Sequence, residues 1–239
     1  MCGIAGMVSR NADEPVQERD LRQMLAMIRH RGPDQFGIYC DGRVGLGSAR
    51  LSIIDLNTGQ QPIPNEDGTL WIVFNGEIFN YVELRPELEA RGHRFSTQTD
   101  TEVILHLYEE LGPECLRRLN GQFAIAIWDT RTQSLFLARD RLGVRPLFYT
   151  QADGRLLFGS EIKALLSVSR VPAAIDPVTK SILVNSEDGV LYRWDLTTNT
   201  LSQKAVLSSG IGEAYTPTEI GPDGTAYAIN DAILDAVGN

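Results

Sequence analysis

The second residue of the chain is a cysteine, and its position gives it a chemistry that no internal cysteine has. Once Met1 is removed, Cys2 carries a thiol and a free α-amine on one residue. A terminal amine titrates near pH ~7.7–8.0 and a free thiol near pH ~8.5. The amine can therefore take up the thiol proton, directly or through a water, close to neutral pH. That is a nucleophile with its base built in, as at an N-terminal threonine. Position alone favours a small buried apolar residue, and only the rest of the chain raises the catalytic reading. If Met1 stays, its peptide bond ties up the nitrogen and the base is lost. Asn75-Gly76 follows an apolar run and offers a side-chain amide and a backbone N–H, donors suited to a developing oxyanion. The same pair is also a common hairpin turn. His30, His93 and His106 are dispersed, so no metal site is expected, and His93 and His106 read as ordinary surface or core residues. Cys40 and Cys115 form no CxxC pair or disulfide framework and read as core residues.

The rest of the chain must hold these groups in place. Its 239 residues suffice for one large or two small domains. The net charge of −9 argues against nucleic acid or an anionic membrane as partner. No apolar run reaches the ~18 residues of a membrane helix, and no signal peptide is visible. Three sparse cysteines fit a reducing, cytoplasmic setting. Of the 22 Lys and Arg, 19 fall in residues 1–175, whereas residues 176–239 hold three against nine acids. That shift, with Pro172 and Pro177, predicts a boundary near Val171–Pro177 and domains of 1–175 and 176–239.

In the first domain GIAGMVS reads as a strand. VQERDLRQMLAMIRH reads as a helix with Leu21, Met24, Leu25 and Ile28 on one face. Asp41-Gly42 marks a hairpin, and LWIVFNGE is a strand ending at Asn-Gly. YVELRPELEARGH is helical up to Gly92, with Pro86 expected to kink or restart it. Thr99 and Glu102 form a capping box for DTEVILHLYEEL, which stops at Gly112-Pro113. FAIAIWD, SLFLARD, PLFYT and RLLFGS follow as strands, the last two joined through Asp153-Gly154. Consecutive strands interrupted by two groups of helices imply an α+β layered fold, with sheets packed between helices. Residues 176–239 read as short strands separated by turns, among them Pro222-Asp223-Gly224.

Seven motifs appear in one order: MCGIAG, HRGPD, RLSIIDL, FNGEIFNY, TDTEVIL, RDRLGVRPLFY and FGSEIKAL. Together they resemble the glutaminase half of glutamine-dependent asparagine synthetases, a class II glutamine amidotransferase. The likeness covers residues 2 to about 176. It implies a four-layer αββα N-terminal-nucleophile (Ntn) hydrolase fold and hydrolysis of L-glutamine to glutamate and ammonia through a Cys2 thioester.

By that resemblance Asn75 and Gly76 supply the oxyanion donors. Arg50 clamps the substrate carboxylate, a task that suits a guanidinium fork. Glu77 and Asp100 accept from the substrate ammonium, and the backbone of Leu51 and Ile53 lines the pocket. Asp100 could instead serve only the helix dipole. His30, within HRGPD, shapes a loop beside the pocket.

No cofactor is expected. ATP and Mg2+ would serve only an ATP-pyrophosphatase synthetase domain, which this chain is not expected to carry: Leu207–Glu213 has a glycine too few and lacks the Asp-Ser of such a loop. Residues 178–239 weakly resemble quinoprotein-type β-propeller blades. The ammonia would then pass to a separate synthetase. Oligomers are possible. Two other readings stand beside this one: an inactive scaffold with Met1 retained and a β tail that recruits a partner, and a different transferase of the same superfamily.

Overall fold

The computed structural model describes residues 2–11, 13–52, 55 and 58–168, and beyond them the backbone of six strands. The chain divides into two compact units, residues 1–171 and 172–239.

The first unit is built on two antiparallel sheets. One has the order β2-β3-β1-β9-β8, from β1 (Gly3–Ser9), β2 (Gln35–Cys40), β3 (Val44–Arg50), β8 (Phe148–Ala152) and β9 (Arg155–Gly159). The other has the order β4-β5-β6-β7, from β4 (Ile63–Pro64), β5 (Leu70–Ile78), β6 (Gly121–Asp129) and β7 (Ser134–Arg139). Strand alternation makes the layering explicit. On β6, Ala124, Ala126 and Trp128 join Ile4, Leu46, Val73 and Phe158 between the sheets. The intervening Phe123, Ile125 and Ile127 face the helix side with Ile104 and Leu105.

Helices cover both outer faces. Leu21, Met24 and Leu25 of α1 (Glu18–Met27) pack with Ala164 and Leu165 of α4 (Ile162–Leu166) on Ala5, Met7 and Leu157. On the far side lie α2 (Tyr81–Ala90) and α3 (Asp100–Leu111), joined through Leu84, Leu88, Val103 and Leu107. The order helix, sheet, sheet, helix is the four-layer arrangement expected of the chain. Cys115 is fully buried in that last cluster, and Cys40 packs beside α1.

Three local expectations are corrected. β5 does not end at Asn75-Gly76 but runs to Ile78, because β6 pairs with it throughout, Asn75 opposite Ala124 and Gly76 opposite Phe123. A Cβ on Gly76 would stand 2.1 Å from the Gln122 carbonyl oxygen, so glycine serves close strand approach here and not a turn. α2 passes through Pro86 as one helix; Val82, whose carbonyl loses the proline's missing N–H, is exposed to water. The capping box does not form. Thr99 occupies the N-cap without a side-chain capping bond, its hydroxyl meeting that of Thr97 at 2.8 Å, and Glu102 instead accepts from the Ser96 and Thr97 backbone N–H groups, each at 2.7 Å.

The second unit shows two antiparallel three-stranded sheets in its described backbone. They are β10 (Ser181–Ser186), β11 (Val190–Asp195) and β12 (Thr200–Val206), then β13 (Glu219–Ile220), β14 (Ala226–Asn230) and β15 (Ile233–Val237). The turns foreseen between them, Pro222-Asp223-Gly224 included, and the stretch Leu207–Glu213 lie outside the described residues.

Candidate active site

The site begins where β1 begins. Ile4 N–H donates to Ser160 Oγ at 2.9 Å, and Ser160 N–H donates back to the Ile4 carbonyl at 2.8 Å. Arg31 Nε donates to the Cys2 carbonyl at 3.0 Å, and its Nη1 reaches Glu161 Oε1 at 3.2 Å. His30 bonds the same Glu161 oxygen at 2.8 Å, so it props the support of the N-terminus and stays out of the pocket lining. Cys2 is thereby fixed just before a buried strand, half-exposed, with its thiol directed at the Leu51 carbonyl at 3.5 Å. HRGPD holds that loop: Asp34 accepts from Ser52 N–H at 2.9 Å.

Cys2 shares a pocket with Arg50, Leu51, Asn75, Gly76, Glu77 and Asp100. Seven of the eight residues singled out from the sequence therefore meet in one place. The eighth, Ile53, lies outside the described residues.

The donor edge follows from strand geometry. β4 covers β5 only opposite Trp71 and Ile72, so the outer edge of β5 is open from there on. N–H groups on that edge recur every second residue. Phe74 N–H is taken by Gln61 Oε1 at 2.7 Å, and Ile78 N–H by Asp100 Oδ2 at 2.9 Å. Gly76 N–H points from the same edge between them, into the pocket. Beside it Asn75, 1% exposed, has its Nδ2 buried with no hydrogen-bond partner. A buried, unpaired amide donor is costly unless something else completes it.

The charged lining is built around this edge. Arg50 is 5% exposed and is held by Gln35 Oε1 (2.7 Å) and the Asp55 carbonyl (2.8 Å). Asp100 is the first residue of α3. Burial, with a smaller contribution from Glu77, pushes its carboxyl up to about 6, against the N–H groups of Ile78 and its own helix start. Such a group at a cleft is a mark of a functional site.

Arg145 also lines the pocket and was not singled out from the sequence. Burial and nearby Arg31 lower its pKa, while Cys2 and Glu77 act the other way, which places its charge within reach of both. Asp140 orders its loop by accepting from Val144 N–H (2.9 Å) and Arg145 N–H (3.0 Å). Its signal was its place in RDRLGVRPLFY, a motif otherwise given no role. His93 and His106 are not dispersed in space: their rings lie 4.6 Å apart, away from the pocket. Burial works against charge on His106, yet Glu102, Glu109 and Glu66 raise its pKa to about 9.

Two antiparallel sheets between helix layers, with Cys2 just before the first strand, form the αββα arrangement of the Ntn-hydrolase fold. Residues 1–189 match the glutamine amidotransferase domain family, and the chain belongs to that family. It is 36% identical over 258 aligned positions to asparagine synthetase [glutamine-hydrolyzing] 1 of Bacillus subtilis, across 99% of this chain and 39% of that protein. It is 42% identical to the same organism's asparagine synthetase [glutamine-hydrolyzing] 3, across 74% of this chain and 29% of that one. The chain thus spans well under half the length of these curated relatives. Among solved structures, the glutamine phosphoribosylpyrophosphate amidotransferase of B. subtilis aligns with TM-score 0.60 and 20% identity, over 89% of this chain and 50% of that one; the likeness establishes the fold. Among the described residues no helix is long and apolar enough to cross a membrane.

Proposed function

We propose that this chain hydrolyses L-glutamine to glutamate and ammonia through a thioester on Cys2, as the glutaminase part of an asparagine synthetase-like system. The observation that carries the reading is the buried, partnerless Asn75 Nδ2 beside Gly76 N–H, both at the pocket that holds the Cys2 thiol. With Met1 removed, the α-amine takes the thiol proton and sulfur bonds to the side-chain carbonyl carbon. The carbonyl π electrons move to oxygen, where Asn75 and Gly76 stabilise them. The amine returns its proton to the leaving nitrogen, and ammonia departs. Water then cleaves the thioester, giving glutamate and the free thiol. Arg50 faces the substrate carboxylate, and Glu77 and Asp100 the ammonium, assisted by the Leu51 and Ile53 backbone. Such polar recognition disfavours asparagine and glutamate, because unmatched buried polar groups are costly. A separate synthetase in the cytoplasm would consume the ammonia; no cofactor serves the glutaminase step.

Glutamate release by the wild type and by Cys2→Ala tests the reading, with intact mass confirming loss of Met1. Equal release by processed wild type and variant would sink it.

A further inference from the structure

A second constellation lies away from the pocket and joins three segments. Glu66 comes from the β4–β5 connection, His93 from the α2–α3 connection, and His106 and Glu109 from one face of α3. One ligand atom from each lies within 4.8 Å of the others. His106 Nδ1 is 2.7 Å from Glu109 Oε2 and 3.5 Å from Glu66 Oε2. His93 Nδ1 is 3.6 Å from Glu66 Oε1 and 3.6 Å from Glu109 Oε2. Of these four contacts only the first is a hydrogen bond. Two of the longer ones, His106 Nδ1 to Glu66 Oε2 and His93 Nδ1 to Glu109 Oε2, have a different meaning. Nitrogen and oxygen ligands about 2.0–2.2 Å from a tetrahedral ion stand about 3.3–3.6 Å from one another.

The surroundings are arranged as outer partners would be. His93 turns Nε2 to Glu110 Oε1 at 3.1 Å, and the fully buried His106 turns Nε2 towards Glu102 Oε1 at 3.7 Å. Each inner carboxylate is anchored through one oxygen: Glu66 Oε1 by Arg94 N–H at 2.8 Å, Glu109 Oε1 by Asn65 Nδ2 at 2.7 Å. The carboxylate bonded behind His93 fixes the ring orientation that leaves its Nδ1 facing a metal, whereas His106 Nε2 is buried and makes no hydrogen bond.

We propose that Glu66, His93, His106 and Glu109 bind one divalent transition-metal ion of the zinc class, which displaces the proton held between His106 Nδ1 and Glu109 and releases it to solvent. Two imidazoles disfavour Mg2+ and Ca2+, which seek oxygen. Four protein ligands close the tetrahedron, so the ion is structural. It clips the β4–β5 and α2–α3 connections to the helix that presents Asp100 to the pocket at its other end. None of this depends on the glutaminase reading.

The full chain is stripped with chelator and titrated with Zn2+ by calorimetry and with Co2+ by absorption. One saturable equivalent is expected, with tetrahedral Co2+ bands and no thiolate charge-transfer band. At a hundredfold excess over Kd, Zn2+ raises Tm by roughly 5–10 °C. His93→Gln, outside any helix, weakens binding by more than the roughly 10–100-fold lost when an outer partner is removed, and Glu110→Gln by about that amount. Absence of a saturable equivalent in the wild type, unchanged binding in His93→Gln, or a thiolate band would each overturn the assignment.

Discussion

Asp100 and Glu102 stand two residues apart on α3, and both are almost wholly buried, at 5% and 1% exposure. Their acidities nevertheless move in opposite directions: Asp100 is pushed up to about 6 and Glu102 is held down at about 2. Burial raises both, so the difference lies in partners. Glu102 has His106 beside it and collects the N–H and hydroxyl of both Ser96 and Thr97. Asp100 has the Ile78 N–H and its own helix start, and it faces Glu77 across the pocket, which opposes its charge. One carboxylate is complete within the protein and fastens a loop to a helix. The other is short of a cation at the wall of a cleft, and a substrate ammonium would supply one.

The contrast breaks if both carboxylates respond alike to removal. Glu102→Ala leaves four donors without their acceptor, in a loop buried at Thr97 and exposed at Ser96, and the buried His106 without its counter-charge, an expected loss of about 3–5 kcal/mol in stability. Denaturant unfolding measures it, and glutamate release per folded molecule should stay within about twofold of wild type. The complementary experiment removes a pocket donor. Asn75→Ala has little to lose in the resting protein, because its Nδ2 is unpaired. It should instead lower kcat by about 10²–10³, or about 2.7–4 kcal/mol of barrier. A large stability loss with unchanged kcat would move Asn75 from the chemistry to the scaffold.

Local signals explain what could be read in advance. Cys2 was legible because a thiol beside a terminal amine has its own chemistry and seven ordered motifs surround it, and the β2–β3 hairpin because Asp41-Gly42 forms its own turn. The α1 core face was legible from its spacing. Asn75-Gly76 carries the same local turn signal, yet β6, more than 40 residues further on, pairs across it. Non-local pairing overrides the dipeptide. Thr99 and Glu102 have capping-box spacing, but Ser96 and Thr97 capture the carboxylate first. Arg145 is one arginine among many until Asp140 orders its loop. His93 and His106 meet only because α2 and α3 fold back on each other, which no spacing in the sequence announces.

Asp100→Asn sharpens the contrast by separating stability from binding. A carboxyl raised from 3.8 to about 6 stabilises the fold while it is protonated, and that contribution is lost as pH rises through about 6. An amide has no such loss. At pH 8 the variant should therefore be the more stable protein, by up to roughly 3 kcal/mol. Below pH ~4 the gain should vanish. Glutamine KM should rise at the same time, by about tenfold or more, since an ammonium contact is removed. A variant less stable than wild type at pH 8 would show that Asp100 is already paid for by its own donors.

The smallest effect is also the most diagnostic. In the free enzyme Asp100 gains a proton as pH falls through about 6, and the pocket then offers the substrate ammonium one carboxylate fewer. Bound ammonium pulls the same carboxyl back down, so saturating glutamine hides the change. Glutamine KM should consequently rise below pH 6, approaching tenfold per unit, beyond any change in kcat. A group that acts only in the chemical step moves kcat and kcat/KM together and leaves KM alone, so the two sources separate in one pH series. In Asp100→Asn the KM should be high and flat from pH 5 to 7. A KM that still climbs in the variant would place the titrating group elsewhere, with Glu77 the next carboxylate to remove.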